Sequence, residues 1–280
     1  MRFIFVGGLG TALGSSLLTW YGLSFWSQKT LRQYLKWRGY QVVSPEDKST
    51  WKAIKEEHSS LVYELFSGNN IEDQIRDWCA DHLDKGSYIS HIGNASKLCV
   101  NNLKTVKGKI IQRGTDLNSL LNRTDDYKVA YVFRKNTPDF LNLIGYSPNS
   151  VENLEEAVRA YRNWCENSLN APWEELLLSN VESLCKPKGF STIKEFINHS
   201  GKQMITEGND SESKLDEKFN ALKNLNSFKQ DVGGGENKEK LKEWCNTSSS
   251  KGFFEGFHVL ETDYPKVKSR CIKDEKIIDN

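Results

Sequence analysis

The sequence predicts a mainly α-helical chain, with an N-terminal transmembrane helix followed by three tandem small helical modules, each holding one Trp-Cys...Cys pair. Three observations predict it. From Phe3 to Trp26 there are 24 residues without a charge. The string T-[LVI]-[KR]-x-x-[LI]-x-x-x-G begins at Thr30, Thr105 and Thr192 and ends at Gly39, Gly114 and Gly201. All six cysteines then fall at matching places behind these three strings. The divisions that follow are 1–27 for a transmembrane anchor or uncleaved signal, 28–103, 104–190 and 191–272 for the repeats, and 273–280 for a tail.

At 1.5 Å per residue, a helix over Phe3 to Trp26 reaches about 36 Å, enough for the roughly 30 Å hydrocarbon core. Gly7, Gly8, Gly10, Gly14 and Gly22 suit close helix approach in lipid better than exposure to water, and Gly10 and Gly14 form one GxxxG. Trp20, Tyr21 and Trp26 stand toward the far end, where amphipathic rings favour the headgroup level. A cleaved signal peptide is the rival, but only Arg2 charges the n-region and no clean A-x-A site follows. Lys29, Arg32, Lys36 and Arg38 follow the segment, so a positive-inside count places the bulk of the chain in the cytoplasm.

The repeated string should begin by chance at on the order of one position in 10⁵ from ordinary residue usage. Its chemistry is that of a short capped helix. Thr30 with Gln33 and Thr192 with Glu195 make capping boxes, and the closing glycines supply left-handed C-terminal residues. In the second copy Val106 to Lys109 lacks the capping acid. Trp51 to Phe66 then carries Trp51, Ile54, His58, Leu61, Val62 and Leu65 at helical spacing, and Tyr127 to Arg134 takes the same place in copy two. A third helix places Ile71, Ile75, Trp78 and Cys79 on one face in copy one. Leu154, Val158, Tyr161 and Cys165 do so in copy two, and Leu241, Trp244 and Cys245 in copy three. The second cysteine of each pair ends a short face, Ile92-Ala95-Cys99, Leu178-Val181-Cys185 and Tyr264-Val267-Cys271. Gly68 to Asn70, Tyr146 to Asn149 and Gly233 to Glu236 read as loops, Gly208 to Ser213 as a flexible connection, and Ser248 to Gly256 as an insertion that lengthens the third loop.

Paired cysteines stand 20, 20 and 26 positions apart. The pairing expected is Cys79 with Cys99, Cys165 with Cys185 and Cys245 with Cys271, the one connectivity of fifteen that keeps every bridge within its repeat. Trp78, Trp164 and Trp244 are expected to shield the bridges as core residues. Six reduced, buried thiols are the alternative that a cytoplasmic location requires. Orientation is therefore contested between the basic residues and the cysteines.

With 27% charged residues, 38% hydrophobic residues and a formal net charge of +1, the chain is globular and lacks the basic surplus that nucleic-acid binding needs. No nucleotide loop, H-E-x-x-H or G-x-S-x-G occurs, and no C-x-x-C or H-x₃₋₅-H spacing points to a metal. Asp81 and His82 beside Cys79 invite a Cys-His nucleophile, but Asn167-Ser168 and Thr247-Ser248 replace them in the other copies. The expectation is no catalytic residue, no cofactor, no metal and no identified small-molecule substrate.

The Gly-rich apolar start, the Trp51-Lys52 opening, Leu241-Lys242-Glu243-Trp244-Cys245 and the run Tyr264-Pro265-Lys266-Val267-Lys268-Ser269-Arg270-Cys271 carry a likeness. In these features the chain resembles the large paralogous families of uncharacterised proteins in haemotropic mycoplasmas, in a three-unit version. Leu215 to Leu222 departs from the Trp-Lys opening in copy three. The resemblance implies a surface protein of a wall-less bacterium and brings no activity with it. The expected role is a non-catalytic, single-pass, membrane-anchored protein, attached through residues 3–26, that displays its repeats to host proteins or antibodies. A cytoplasm-facing scaffold for a protein partner is the alternative.

Overall fold

The computed structural model describes residues 29–232 and 237–277. The apolar segment 3–26 and the loop Gly233 to Glu236 lie outside the described residues. No described helix is long and apolar enough to cross a membrane. The described chain is mainly helical, without strands and with four isolated bridges.

The first copy supplies five helices in order: α1 (Leu31–Trp37), α2 (Lys48–Glu57), α3 (Ser59–Leu65), α4 (Ile71–Leu83) and α5 (Ile92–Leu98). The second copy supplies α6 (Val106–Gln112), α7 (Thr124–Arg134), α8 (Phe140–Leu143), α9 (Leu154–Asn170) and α10 (Glu175–Leu184). The third supplies α11 (Ile193–His199), α12 (Ser211–Leu222), α13 (Asn226–Asp231), α14 (Lys238–Ser249) and α15 (Tyr264–Cys271).

The same backbone bonds recur in all three copies. The helix that opens each copy closes in a Schellman turn. Gly39, Gly114 and Gly201 sit at φ 82°, 90° and 71°, and the next amide returns to the carbonyl five residues back: Tyr40 to Leu35, Thr115 to Ile110, Lys202 to Ile197. The first helical amide donates to a carbonyl six residues past the Trp-Cys cysteine, Leu31 to Lys85, Val106 to Ala171 and Ile193 to Lys251. The second cysteine's carbonyl accepts from Val43, Leu121 and Ile205 at 3.0, 2.7 and 2.8 Å. Each opening helix is thereby held at its start and behind its end by the element that carries a cysteine.

By contacts the chain forms two compact units: the described chain up to Asp116 with Asn170–Leu178, and Leu117–Leu169 with the described chain from Ser179. In the first unit α2 buries Trp51, Ala53 and Ile54 against α6 and α4, and Leu31, Leu35, Ile75 and Leu98 are fully buried. Burying each such side chain contributes about 1.5–3 kcal/mol. In the second unit α12, α14 and α15 pack together, and Ile193, Ile197, Leu215, Leu222, Phe228, Leu241 and Val267 form the core, joined by Val129 from α7.

Four expectations are corrected. Trp51 to Phe66 is two helices, because His58, at φ −108° and ψ 29°, leaves helical geometry between them. Ser211 to Ser213 is the first turn of α12 rather than a flexible connection. The insertion in copy three is core: Phe253 is fully buried in a 3₁₀ turn, and Phe133 of α7 lies against it with ring centres 4.8 Å apart. Trp78, Trp164 and Trp244 are half-buried rather than core. Each precedes its cysteine by one residue, about 100° around the helix, so the residues four before the cysteines, Ile75, Tyr161 and Leu241, take the buried place. Residues 273–277 bond back to the third copy, with the Lys273 amide on the Gln203 carbonyl at 2.9 Å.

Candidate functional site

The cysteines form three disulfides, Cys79–Cys99, Cys165–Cys185 and Cys245–Cys271, with Cα separations of 5.5, 5.9 and 5.6 Å. Each joins the fourth helix of a copy, α4, α9 or α14, to the end of its fifth, and all six side chains are buried. Cys79 is bridged, so it offers His82 no thiol to activate.

Beside two of the bridges lies a buried cation that the pattern of the sequence does not announce. Arg134 at the end of α7 donates to the Tyr161 hydroxyl at 2.7 Å and to the carbonyls of Leu184, Ser183 and Lys186 at 2.8, 3.1 and 2.9 Å. It faces the negative end of the α10 dipole and satisfies carbonyls that a helix leaves open. Tyr161, which itself donates to Leu184, has its phenol pushed up to about 12 by burial. Lys218 repeats the device in copy three, with Nζ on the carbonyls of Ser269 and Glu275 at 3.1 and 2.6 Å. Ser183 and Ser269 both stand two residues before the second cysteine (185 − 2 and 271 − 2). Burial lowers the Lys218 pKa. The one signal in the sequence is a basic residue interrupting an apolar face, Arg134 after Phe133 and Lys218 between Leu215 and Leu222.

Arg270, also buried, pairs with Asp231 and lies over the Trp244 ring at 5.1 Å. Burial works to raise the Asp231 carboxyl, but hydrogen bonds from Arg270 and Lys266 outweigh it and hold the group below the usual carboxylate range.

The start of the second copy is capped from the first. Gly108 occupies the place of Gln33 and Glu195 and has no side chain to offer. Glu57, at the end of α2, fills in: its carboxylate accepts from the amides of Lys104 and Thr105 at 2.6 and 3.2 Å and from the Thr105 hydroxyl at 2.9 Å. In copy three Glu195 performs this role locally, on the amides of Ser191 and Thr192 at 2.6 and 3.2 Å. Copy one makes half of the box, the Thr30 hydroxyl oxygen accepting from the Gln33 amide at 3.3 Å, while Gln33 Oε1 accepts from the Lys29 amide at 2.8 Å rather than from that of Thr30. A Cβ on Gly108 would stand 2.2 Å from Glu57 Oε2, so the glycine is what admits the borrowed carboxylate.

A cavity of about 350 Å³ opens beside the start of α7, among Arg123, Asp125, Asp126, Lys188, Phe190 and Phe254. The Lys188 ammonium lies 5.8 Å from the Phe133 ring centre, and burial together with nearby Arg134 lowers its pKa. Charges of both signs over an aromatic floor can hold a polar ligand. Ser191 and Glu195 line the cavity too, the Ser191 hydroxyl donating to the Glu195 carboxylate at 2.8 Å.

At the end of α4, Trp78 and His82 stack with ring centres 4.4 Å apart, and the His91 ring stands 4.4 Å from His82 at 67°. His82 Nδ1 lies 2.7 Å from the Trp78 carbonyl. Among the described residues no group of three or more His, Cys, Asp or Glu side chains is arranged to hold a metal. No protein-family model, curated protein or solved structure matches this chain.

Proposed function

We propose that this chain is a non-catalytic, membrane-anchored surface protein, attached through residues 3–26, whose disulfide-stapled helical repeats are displayed to host molecules. The observation that carries the reading is the set of three bridges, one per repeat and all buried. Such bonds persist on the oxidising side of a membrane and are rare in a reducing cytoplasm. The outward faces of the helices support it as well: α12 exposes Glu212, Asp216, Glu217 and Asn220, a solvated surface outside the core. The resemblance to surface-suspected paralogues of haemotropic mycoplasmas points the same way.

A cytoplasm-facing scaffold is the second reading, favoured by the exposed Lys29, Lys36 and Arg38 behind the apolar segment. Arg32, the fourth basic residue there, is engaged by Asp84 at 2.8 Å. Mild proteolysis of intact cells separates the two. Display requires loss of the repeats at a dose that cleaves a surface control, and full protection at that dose overturns it. Labelling of reduced cysteines inside lysed but not intact cells would favour the scaffold.

A further inference from the structure

We propose that His82 and His91 form a metal site for a divalent cation of tetragonal preference, Cu(II) above all, with water completing the coordination. A carbonyl only accepts, so the 2.7 Å contact with the Trp78 oxygen requires the proton on His82 Nδ1. The neutral ring therefore keeps its lone pair on Nε2, and a backbone carbonyl on the other nitrogen is the usual partner of a metal-binding histidine. His91 ends the 3₁₀ turn Ile89–His91, and neither of its ring nitrogens is hydrogen-bonded among the described residues.

The spacing admits a shared ion. With metal–nitrogen bonds of ~2.0 Å, two imidazoles at a right angle on one ion have ring centres about 4.5 Å apart, whereas a tetrahedral angle separates them by about 5.1 Å. The rings of His82 and His91 stand 4.4 Å apart. That separation leaves room for both rings on one ion, and the Irving–Williams order puts copper first among the divalent ions that imidazole binds.

The pair is held rather than incidental. His82 lies three residues past Cys79 on α4, and His91 immediately precedes α5, which the Cys79–Cys99 bridge ties to α4. Trp78 stacks on the His82 ring at 21° and fixes its plane. The repeat itself does not need histidine here. The residues three past the equivalent cysteines are Ser168 and Ser248, both buried, and those copies form the same bridge. Both histidines are half-buried, which leaves the site open to solvent.

The test titrates Cu(II) chloride into the full-length protein in detergent micelles, bridges intact, near pH 7.4. Expected are one bound equivalent with a tetragonal electron paramagnetic resonance spectrum showing two coupled nitrogens, and paramagnetic broadening of the His82 and His91 imidazole signals before those of His58, His199 and His258. H82Q and H91Q each remove one of two protein ligands and should weaken binding by more than the roughly 10- to 100-fold that an outer-shell change produces. Zn(II) should compete poorly. Broadening that begins at other histidines, a spectrum with one nitrogen, or an affinity unchanged in both variants overturns the assignment. The wild-type spectra decide the matter even if a variant fails to fold.

Discussion

Gly108 reverses the ordinary consequence of a helical glycine. Replacing glycine by alanine within a helix usually stabilises by up to about 1 kcal/mol. Here the added Cβ would meet Glu57 Oε2 at 2.2 Å and expel a carboxylate that satisfies two amides and a hydroxyl. G108A should therefore destabilise by about 1 kcal/mol or more, since each lost bond to a charged group is worth roughly 1.5–3 kcal/mol. In an E57A background the same change should turn neutral or stabilising, and urea denaturation of the four-member cycle reads the difference. A finding of additivity would mean that Glu57 does not act through this contact. Nothing in the sequence marks Glu57 for this work. It stands 48 residues before Thr105, at the last position of α2. The local box of Thr192 and Glu195, by contrast, is legible because three residues separate its members.

Helices paired by a bridge share a face that repeats with the cysteines, which is why the pairing is legible in the residue spacing alone. A spacing of four residues before the cysteine places Ile75, Val181 and Val267 inside. The tryptophans are harder to read. Adjacency in sequence resembles adjacency in the core, but on a helix it means neighbouring faces. Arg134 and Lys218 are harder still, since a buried cation matched to carbonyls rather than to acids has no charge pattern to betray it. Loop-closure entropy sets the expected effect of removing a bridge by paired Cys→Ser replacement. Loops of 20 residues and of 26 residues give about 3.3 and 3.5 kcal/mol, so the three losses should be nearly equal. Calorimetry of the three double variants checks this. A third bridge markedly more costly than the others would show that its longer loop holds structure of its own beyond chain closure.

The repeats are not the units of packing. α6 belongs by sequence to the second copy, yet it packs on α2 of the first, while Val129 and Phe133 of that same copy enter the aromatic core around Phe253. A fragment of residues 104–190 keeps its bridge but loses both partners. It should show helical far-ultraviolet dichroism without dispersed side-chain resonances, whereas 191–277 retains nearly all of its core and should give a dispersed spectrum. A dispersed spectrum from 104–190 would mean that each copy folds by itself. Sequence self-similarity exposes how many copies there are. It conceals this sharing, because the apolar residues that face a neighbouring copy and those that face inward obey the same periodicity.

The bridges also set how the molecule answers a pull. Drawn out between Lys29 and Ile277, the chain cannot release the segments enclosed by its disulfides, which withhold about 70, 70 and 90 Å of contour at ~3.5 Å per residue for separations of 20, 20 and 26. The opening helix of each copy, by contrast, lies outside its loop and is free to peel. Under shear the protein should lengthen in short steps and stop well before full extension, then gain the three withheld lengths only when a reductant is added, as force spectroscopy on the intact chain would record.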